Sequence, residues 1–214
     1  MRVWLVIGCV VLAVVCYYLP WFAHETAGFT MHAYDLAEWS SLHPAVRSES
    51  PEMWTSFLLR LPLVLLAGAL ALAANNLEEA RGRWLLRGLA LVLVVHMVPP
   101  REYLDTASND PNYRQMFQMT LLGLALVLAA SRAYRLPATW QAWLLVGLTG
   151  IGVLAGWEGL SRAKTLLDNF EIDVQTGFGI AGMTVGSILA WMINLWPYLW
   201  EDRPTKPGEA SLLE

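Results

Sequence analysis

The feature that most restricts this chain is where its charges are missing. No Asp, Glu, Lys or Arg falls between Arg2 and Glu25, between Arg60 and Glu78, between Arg114 and Arg132, between Arg135 and Glu158, or between Asp173 and Glu201. Apolar residues fill these gaps in continuous runs, not in the one-sided stripes of a soluble helix. A helix needs about 20 such residues to cross the hydrocarbon core of a bilayer. Six segments approach that length, at 3–22, 54–74, 84–98, 116–130, 140–157 and 178–199. The two shortest, 84–98 and 116–130, reach it only by extending into polar flanks such as 112–115 and 131–134. Four spans with a partly buried hairpin is the alternative. Apolar residues make up 56% of the chain and charged residues 15%, against about 25% charged in a soluble domain, which excludes a soluble globular fold. The expected class is an all-α integral membrane protein of about six spans. Residues 1–199 form one transmembrane domain, with outer loops at 23–53, 99–115 and 158–177, and 200–214 form a disordered cytoplasmic tail.

The first run opens with Arg2, as a secretory signal does. It ends in Tyr17-Tyr18-Leu19-Pro20-Trp21-Phe22 without a small-x-small cleavage site, so it reads as a retained span. With the N-terminus inside, the cytoplasmic side receives Arg2, Arg81, Arg83, Arg87, Arg132, Arg135, Arg203 and Lys206. The outer side receives Arg47, Arg60, Arg101, Arg114, Arg162 and Lys164, eight against six. The acids are more lopsided, since twelve of the 18 fall outside. Tryptophans fit the same frame, because an indole seeks the interface where its ring is covered and its N–H is wet. Trp4, Trp84, Trp140, Trp143, Trp196 and Trp200 make an inner belt and Trp21, Trp39, Trp54 and Trp157 an outer one, leaving Trp191 within a span. Both termini are therefore expected in the cytoplasm. Short inner hairpins, no targeting extension and no glycosylation sequon point to the inner (plasma) membrane of a bacterium.

The outer loops hold most of the extramembrane chain. Residues 32–43 read as a short helix stopped by Pro44, with Leu36 and Trp39 on one face, lying along the interface. Residues 99–115 read as turns, and 171–175 alternate polar and apolar residues as a short strand would.

Several motifs point toward chemistry, and each has a plainer reading. Gly177-x-Gly179-x-x-Gly182 matches a dinucleotide fingerprint, but the helix that follows is a span and no βαβ unit is available. Gly152 with Gly156, and Gly182 with Gly186, place small residues one turn apart on the last two spans, a helix-packing surface in membranes. His24, His32, His43, Met31 and Met97 map to the outer side and are soft ligands suited to copper, without a recognisable ligand spacing. His96 is the one histidine in a span, so a bis-histidine haem is excluded by counting, and a single-His haem or pigment is what remains. Cys9 and Cys16 lie too far apart along one helix to bridge.

No ionisable residue stands at mid-depth, where coupled transport would require one. Arg60, about two turns inside its span, can snorkel to an acid of the outer loops, and Arg87 can do the same inward. Asp35 and Glu38 read as a solvated face, Glu158 and Arg162 as an i,i+4 pair, and Asn194 as a bond to a neighbouring helix. A net charge of −4 leaves no basic face for nucleic acid. No nucleophile elbow, zinc-protease, phosphate-loop or paired-carboxylate pattern fits the topology, so no enzyme activity and no cofactor is expected.

Leu19-Pro20-Trp21 and the 176–182 segment resemble small multi-span bacterial membrane proteins with an aromatic first outer loop and a glycine-rich last span, a resemblance that implies no activity. The expected function is a non-catalytic multi-pass subunit or accessory protein of a larger membrane complex, with the bilayer and other membrane subunits as partners. The alternatives are a permease-like component for an apolar or lipid-like molecule, and an outer-face metal or cofactor binder.

Overall fold

The computed structural model describes residues 1–23, 30–169, 172 and 174–200. Nine helices and one short strand pair make up these residues: α1 (Arg2–Tyr17), β1 (Phe22–Ala23), α2 (Ala33–Ser41), α3 (Pro44–Arg47), α4 (Trp54–Ala73), α5 (Ala80–Val95), α6 (Glu102–Asp105), α7 (Pro111–Arg132), α8 (Ala138–Asp168), β2 (Gln175–Thr176) and α9 (Phe178–Trp200). Four of the helices, Trp54–Asn76 (α4 with its terminal 3-10 turn), Pro111–Arg135, Ala138–Asp168 and Phe178–Leu199, are long and apolar enough to cross a membrane. Such a set marks a multi-pass membrane protein. With 16 residues each, α1 and α5 fall short of that length.

The fold is organised around α4. Of its most apolar window 89% is buried, against 39–44% for α7, α8 and α9. It packs against α8, α7, α5, α2 and α1, while α9 lies against α1 and α8. The pairings are antiparallel where the chain reverses. Glycines of α9 follow α1 in descending order, Gly182 at Cys16 and Gly186 at Cys9 and Ala13, and Arg2 Nη2 donates to Asn194 O at 2.7 Å. Gly159 and Gly152 of α8 meet Leu59 and Leu65 of α4 in the same sense. Running parallel to α4 instead, α7 takes its contacts from Arg60–Gln115 at one end to Asn75–Ala130 at the other. Met1, Asn76, Ala138 and Tyr198 consequently gather at one end of the bundle. The other end is capped by α2, α3, α6 and the strand pair.

Inside the helices, polar groups are satisfied locally. The hydroxyls of Thr120, Thr149, Thr184 and Ser187 donate to carbonyls one turn back on their own helices, as an apolar surrounding demands. Pro62 removes a backbone donor from the middle of α4, and one turn earlier Leu59 O accepts from the Tyr17 hydroxyl at 3.0 Å. The lateral face is the reverse of a soluble surface. Leu12, Val92, Leu121, Leu128, Leu154 and Val185 are each 44–72% exposed, a continuous apolar belt that water would not tolerate.

Several sequence expectations change in detail. The run read at 84–98 is helical over Ala80–Val95, starting in the polar hairpin and stopping before His96. That at 116–130 extends into its polar flanks as expected, to Pro111–Arg132, so within the loop read as turns 111–115 is helix, because Asp110 caps it and Pro111 occupies its first position. Likewise α8 continues past Trp157 to Asp168, turning part of the 158–177 loop into helix. The 32–43 helix is present as α2, but Ala33, Leu36 and Ala37 are buried against the bundle, so it is part of the cap and does not float at an interface. Of the strand read at 171–175 only Gln175 lies in β2; Glu171, Asp173 and the tail 201–214 lie outside the described residues.

Candidate functional site

The most heavily tied polar cluster of the chain sits where the cap meets the bundle. Arg60, on α4, is fully buried. Its Nη2 donates to Glu38 Oε1 of α2 at 2.5 Å and to Asn112 Oδ1 of α7 at 2.6 Å, and its Nη1 to Gln115 Oε1 at 2.8 Å. Asn112 Nδ2 donates to the second Glu38 oxygen at 3.2 Å, and Gln115 Nε2 to Met53 O at 2.9 Å. A buried guanidinium is costly unless its charge and its N–H groups are both answered; here a carboxylate and two amide oxygens answer them, leaving Nε without a partner. Tyr34, one turn before Glu38, hydrogen-bonds that carboxylate, and burial followed by the nearby negative charge pushes its pKa up to about 12. Around this node run further ties. Arg47 pairs with Asp110 at 3.2 Å, Asp110 caps α7, Arg114 pairs with Glu52 at 2.6 Å, and Glu49 accepts from the amide and hydroxyl of Thr55 at the start of α4.

The snorkelling partner expected for Arg60 is therefore Glu38, and the solvated face expected for Asp35 and Glu38 holds only for Asp35. The signal was available. Asn112 and Gln115 stand three apart on one helix face at the depth of Arg60, and Tyr34 and Glu38 four apart on another. Glu158 and Arg162 pair at 2.7 Å, and Asn194 Nδ2 donates to Ala142 O of α8 at 3.3 Å.

The histidines and methionines do not converge. His32 caps α2, its Nδ1 accepting from Asp35 N at 3.2 Å while Nε2 meets the Asp35 carboxylate at 3.1 Å. His43 caps α3 in the same way, accepting from Ala45 N at 3.1 Å. The nine-residue α2 separates them, about 13 Å at 1.5 Å per residue. His96 is exposed at the end of α5, its ring 4.6 Å from Tyr34 and 5.9 Å from Tyr18. Met31 bridges to Phe22 through the backbone, and Met97 is fully buried. His24 lies outside the described residues. Among those described, no three His, Cys, Asp or Glu side chains are grouped to hold a metal.

The glycines are used at short range. A side chain on Gly156 would meet Trp21, Met183 and Ile180; on Gly182, Cys16; on Gly186, the backbone of Cys9 and Ala13; Gly152 alone of the four has ordinary room, against Pro62 and Leu65. Two positions that the packing motif leaves out press on backbone, Gly177 being the tightest of all the described glycines. Gly177 and Gly179 lie against the carbonyls of Pro20 and Leu19, and their amides donate to Trp21 O and Pro20 O at 2.7 and 2.8 Å. These backbone carbonyls occupy the N-terminus of α9 that a dinucleotide phosphate would need. Trp21 is correspondingly fully buried, with its indole N–H on Cys16 O, not in an outer belt. Its misplacement follows from those glycines, which let the 19–21 turn sink beneath α9. Trp4, Trp84, Trp140, Trp143 and Trp196, expected as an inner belt, are all more than half exposed.

At the opposite end the electrostatics invert. Arg81, Arg83, Arg87, Arg132 and Arg135 form no ion pair among the described residues, whereas at the cap end Arg47, Arg60, Arg114 and Arg162 do, with Arg101 and Lys164 as exceptions. Several hollows open there among the described residues. One of about 340 Å³ between α1, α4, α8 and α9 is lined by Arg2, Asn76, Gln141 and Asn194, with Gln141 Oε1 buried and unpartnered. A groove of about 400 Å³ runs between α7 and α8, and a polar hollow of about 470 Å³ is lined by Asn75, Arg83, Arg87 and Tyr134.

Compared with protein-family models, with curated proteins and with solved structures, the chain finds no match in any of the three.

Proposed function

We propose that this chain is a non-catalytic accessory subunit of a larger membrane assembly, six-spanning, with both termini in the cytoplasm of a bacterial cell and its cap facing outward as the interaction surface. One observation carries the reading. Ion pairs and buried hydrogen bonds lock the cap onto the bundle from several connections at once, Arg60–Glu38, Arg47–Asp110 and Arg114–Glu52 joining α2, α3, α4 and α7. A surface fixed before binding spends little ordering energy on association. The side chains of the central α4 fill the bundle axis, which supports a static body over a conducting one. With α1 alongside α9 and α5 between α4 and α7 along their lengths, the two shorter helices supply the fifth and sixth crossings once flanking residues are added. Arg81, Arg83, Arg87, Arg132 and Arg135, toward the end that holds Met1 and Tyr198, support its placement in the cytoplasm.

Isolation in mild detergent or directly into nanodiscs should retain a stoichiometric membrane partner; recovery as a clean monomer under both conditions would refute the accessory role. For the topology, Cys9 and Cys16 are replaced by alanine and single cysteines placed at Ser108 and Glu79, exposed at opposite ends. An impermeant maleimide should label the first from outside intact cells and the second only after lysis; the reverse pattern would overturn the orientation.

A further inference from the structure

We infer that the groove between α7 and α8 is a binding site for an anionic phospholipid, one acyl chain lying in the groove and the phosphate resting between Arg132 and Arg135. Both helices pack on α4 instead of on each other. The space left between them has Leu72 as its floor and Leu126, Leu144 and Leu148 on its walls, and it opens onto the exposed apolar belt. An aliphatic lining of this kind excludes water and suits hydrocarbon. Two guanidinium groups stand at its mouth, both exposed and neither answered by a carboxylate among the described residues. Across the 3-10 turn Ala133–Arg135 lies the polar hollow of Arg83 and Arg87, lined on this side by Tyr134, whose ring stands 5.6 Å from the Arg135 guanidinium. Arg87 lines that hollow with Nη2 held by Asn75 Oδ1 at 2.8 Å and Ser131 O at 3.2 Å, and with Arg83 it adds positive charge for the rest of the head group. Hydrocarbon beneath, two cations at the interface and further donors beside them form the chemistry that a chain, a phosphate and a polar head group require together. An uncharged transmembrane helix would fill the groove but leave both charges unanswered, and free phosphate would leave the groove empty. The site requires the membrane placement proposed above but not the accessory role.

The test is native mass spectrometry of the full-length protein released from detergent, titrated with phosphatidylglycerol or with phosphatidylcholine of identical chains. Wild type should hold phosphatidylglycerol preferentially. The variant Arg132→Gln/Arg135→Gln should lose about 30-fold in that affinity, the equivalent of about 1 kcal/mol per arginine, and Arg132→Lys/Arg135→Lys should retain most of it. Ala129→Trp, which fills the groove without touching a charge, should also weaken binding, and unchanged far-ultraviolet circular dichroism and thermal midpoint would show each variant folded. Equal binding of the two lipids, a preference that survives loss of both arginines, or indifference to Ala129→Trp would each overturn the proposal. Neutralising Glu201, Asp202, Glu209 and Glu214 should leave binding unchanged; a large gain would make the acidic tail the occupant instead. Loss of the lipid site with a partner still co-purifying would separate this failure from failure of the accessory role.

Discussion

Replacing Glu38 by Gln keeps the size and shape of the side chain while removing its charge, and so isolates what that charge does for Arg60. The carboxylate accepts from Arg60 Nη2 on one oxygen and from Asn112 Nδ2 on the other. A Gln amide has one oxygen, so one of the two donors must face an N–H group. Removing one partner of a buried ion pair costs about 3–5 kcal/mol. Arg60 is 0% exposed but Glu38 is 37% exposed, so water replaces part of the loss and about 2 kcal/mol is expected. For a chain of this size that is a drop of about 4–8 °C in thermal midpoint. Unfolding in nanodiscs followed by tryptophan emission measures it directly. Asp35→Asn, on the exposed side of the same helix, should stay within about 0.5 kcal/mol of wild type. Arg60→Met should be destabilising by itself, and combined with Glu38→Gln it should fall short of additivity by about 1.5 kcal/mol. A Glu38→Gln midpoint within about 1 °C of wild type, or strict additivity in the pair, would refute the view that this charge holds the cap.

Other consequences follow from the same contacts. Gly179→Ala drives a methyl group into the carbonyls of Leu19 and Cys16 and should cost about 3 kcal/mol, whereas Gly152→Ala, with ordinary room, should be nearly neutral in the same unfolding assay. Gly182→Ala meets only the Cys16 side chain at close range, so Cys16→Ala should rescue it. Tyr34 keeps its proton to about 12 when folded, against 10.0 unfolded. Its contribution is whole below the unfolded value and lost as pH rises through that window, so Tyr34→Phe should flatten the fall in thermal midpoint between pH 10 and about 12. Arg114→Gln breaks a pair whose members are 49% and 48% exposed and should change stability by less than about 1 kcal/mol.

Much of the helical layout was legible because the bilayer imposes a coarse rule: long uncharged runs must be helices, and polar residues must gather at their ends. Each of the six runs contains a helix, and the capping of α7 by Asp110-Pro111 and of α3 by His43-Pro44 follows a local rule visible in the letters. Position was harder. That α4 is the central helix has a trace in its mean hydropathy of 2.2 against 1.4–1.6 for α7, α8 and α9, since a helix surrounded on every side has no face to spare for polar residues. Trp21 misled because Leu19-Pro20-Trp21 has the composition of an interface; its burial depends on glycines more than 150 residues later. Glu38 misled because its exposure depends on Arg60, and charge alone does not say which acid a buried arginine will take. The histidines drew attention as ligands, yet His32 and His43 serve as helix caps, a role that Asn and Asp fill more often.

The pairing of α1 with α9 has a consequence for how the molecule is made. In the chain α1 precedes and α9 follows the other described helices, so during synthesis the face of α1 around Cys9, Ala13 and Cys16 waits for them before Gly182 and Gly186 close over it. Until then Trp21 has no α9 above it and Arg2 no Asn194 carbonyl to meet. The α1–α9 contact is thus a late closure, and a nascent chain arrested before α9 displays an uncovered face of α1 in the bilayer.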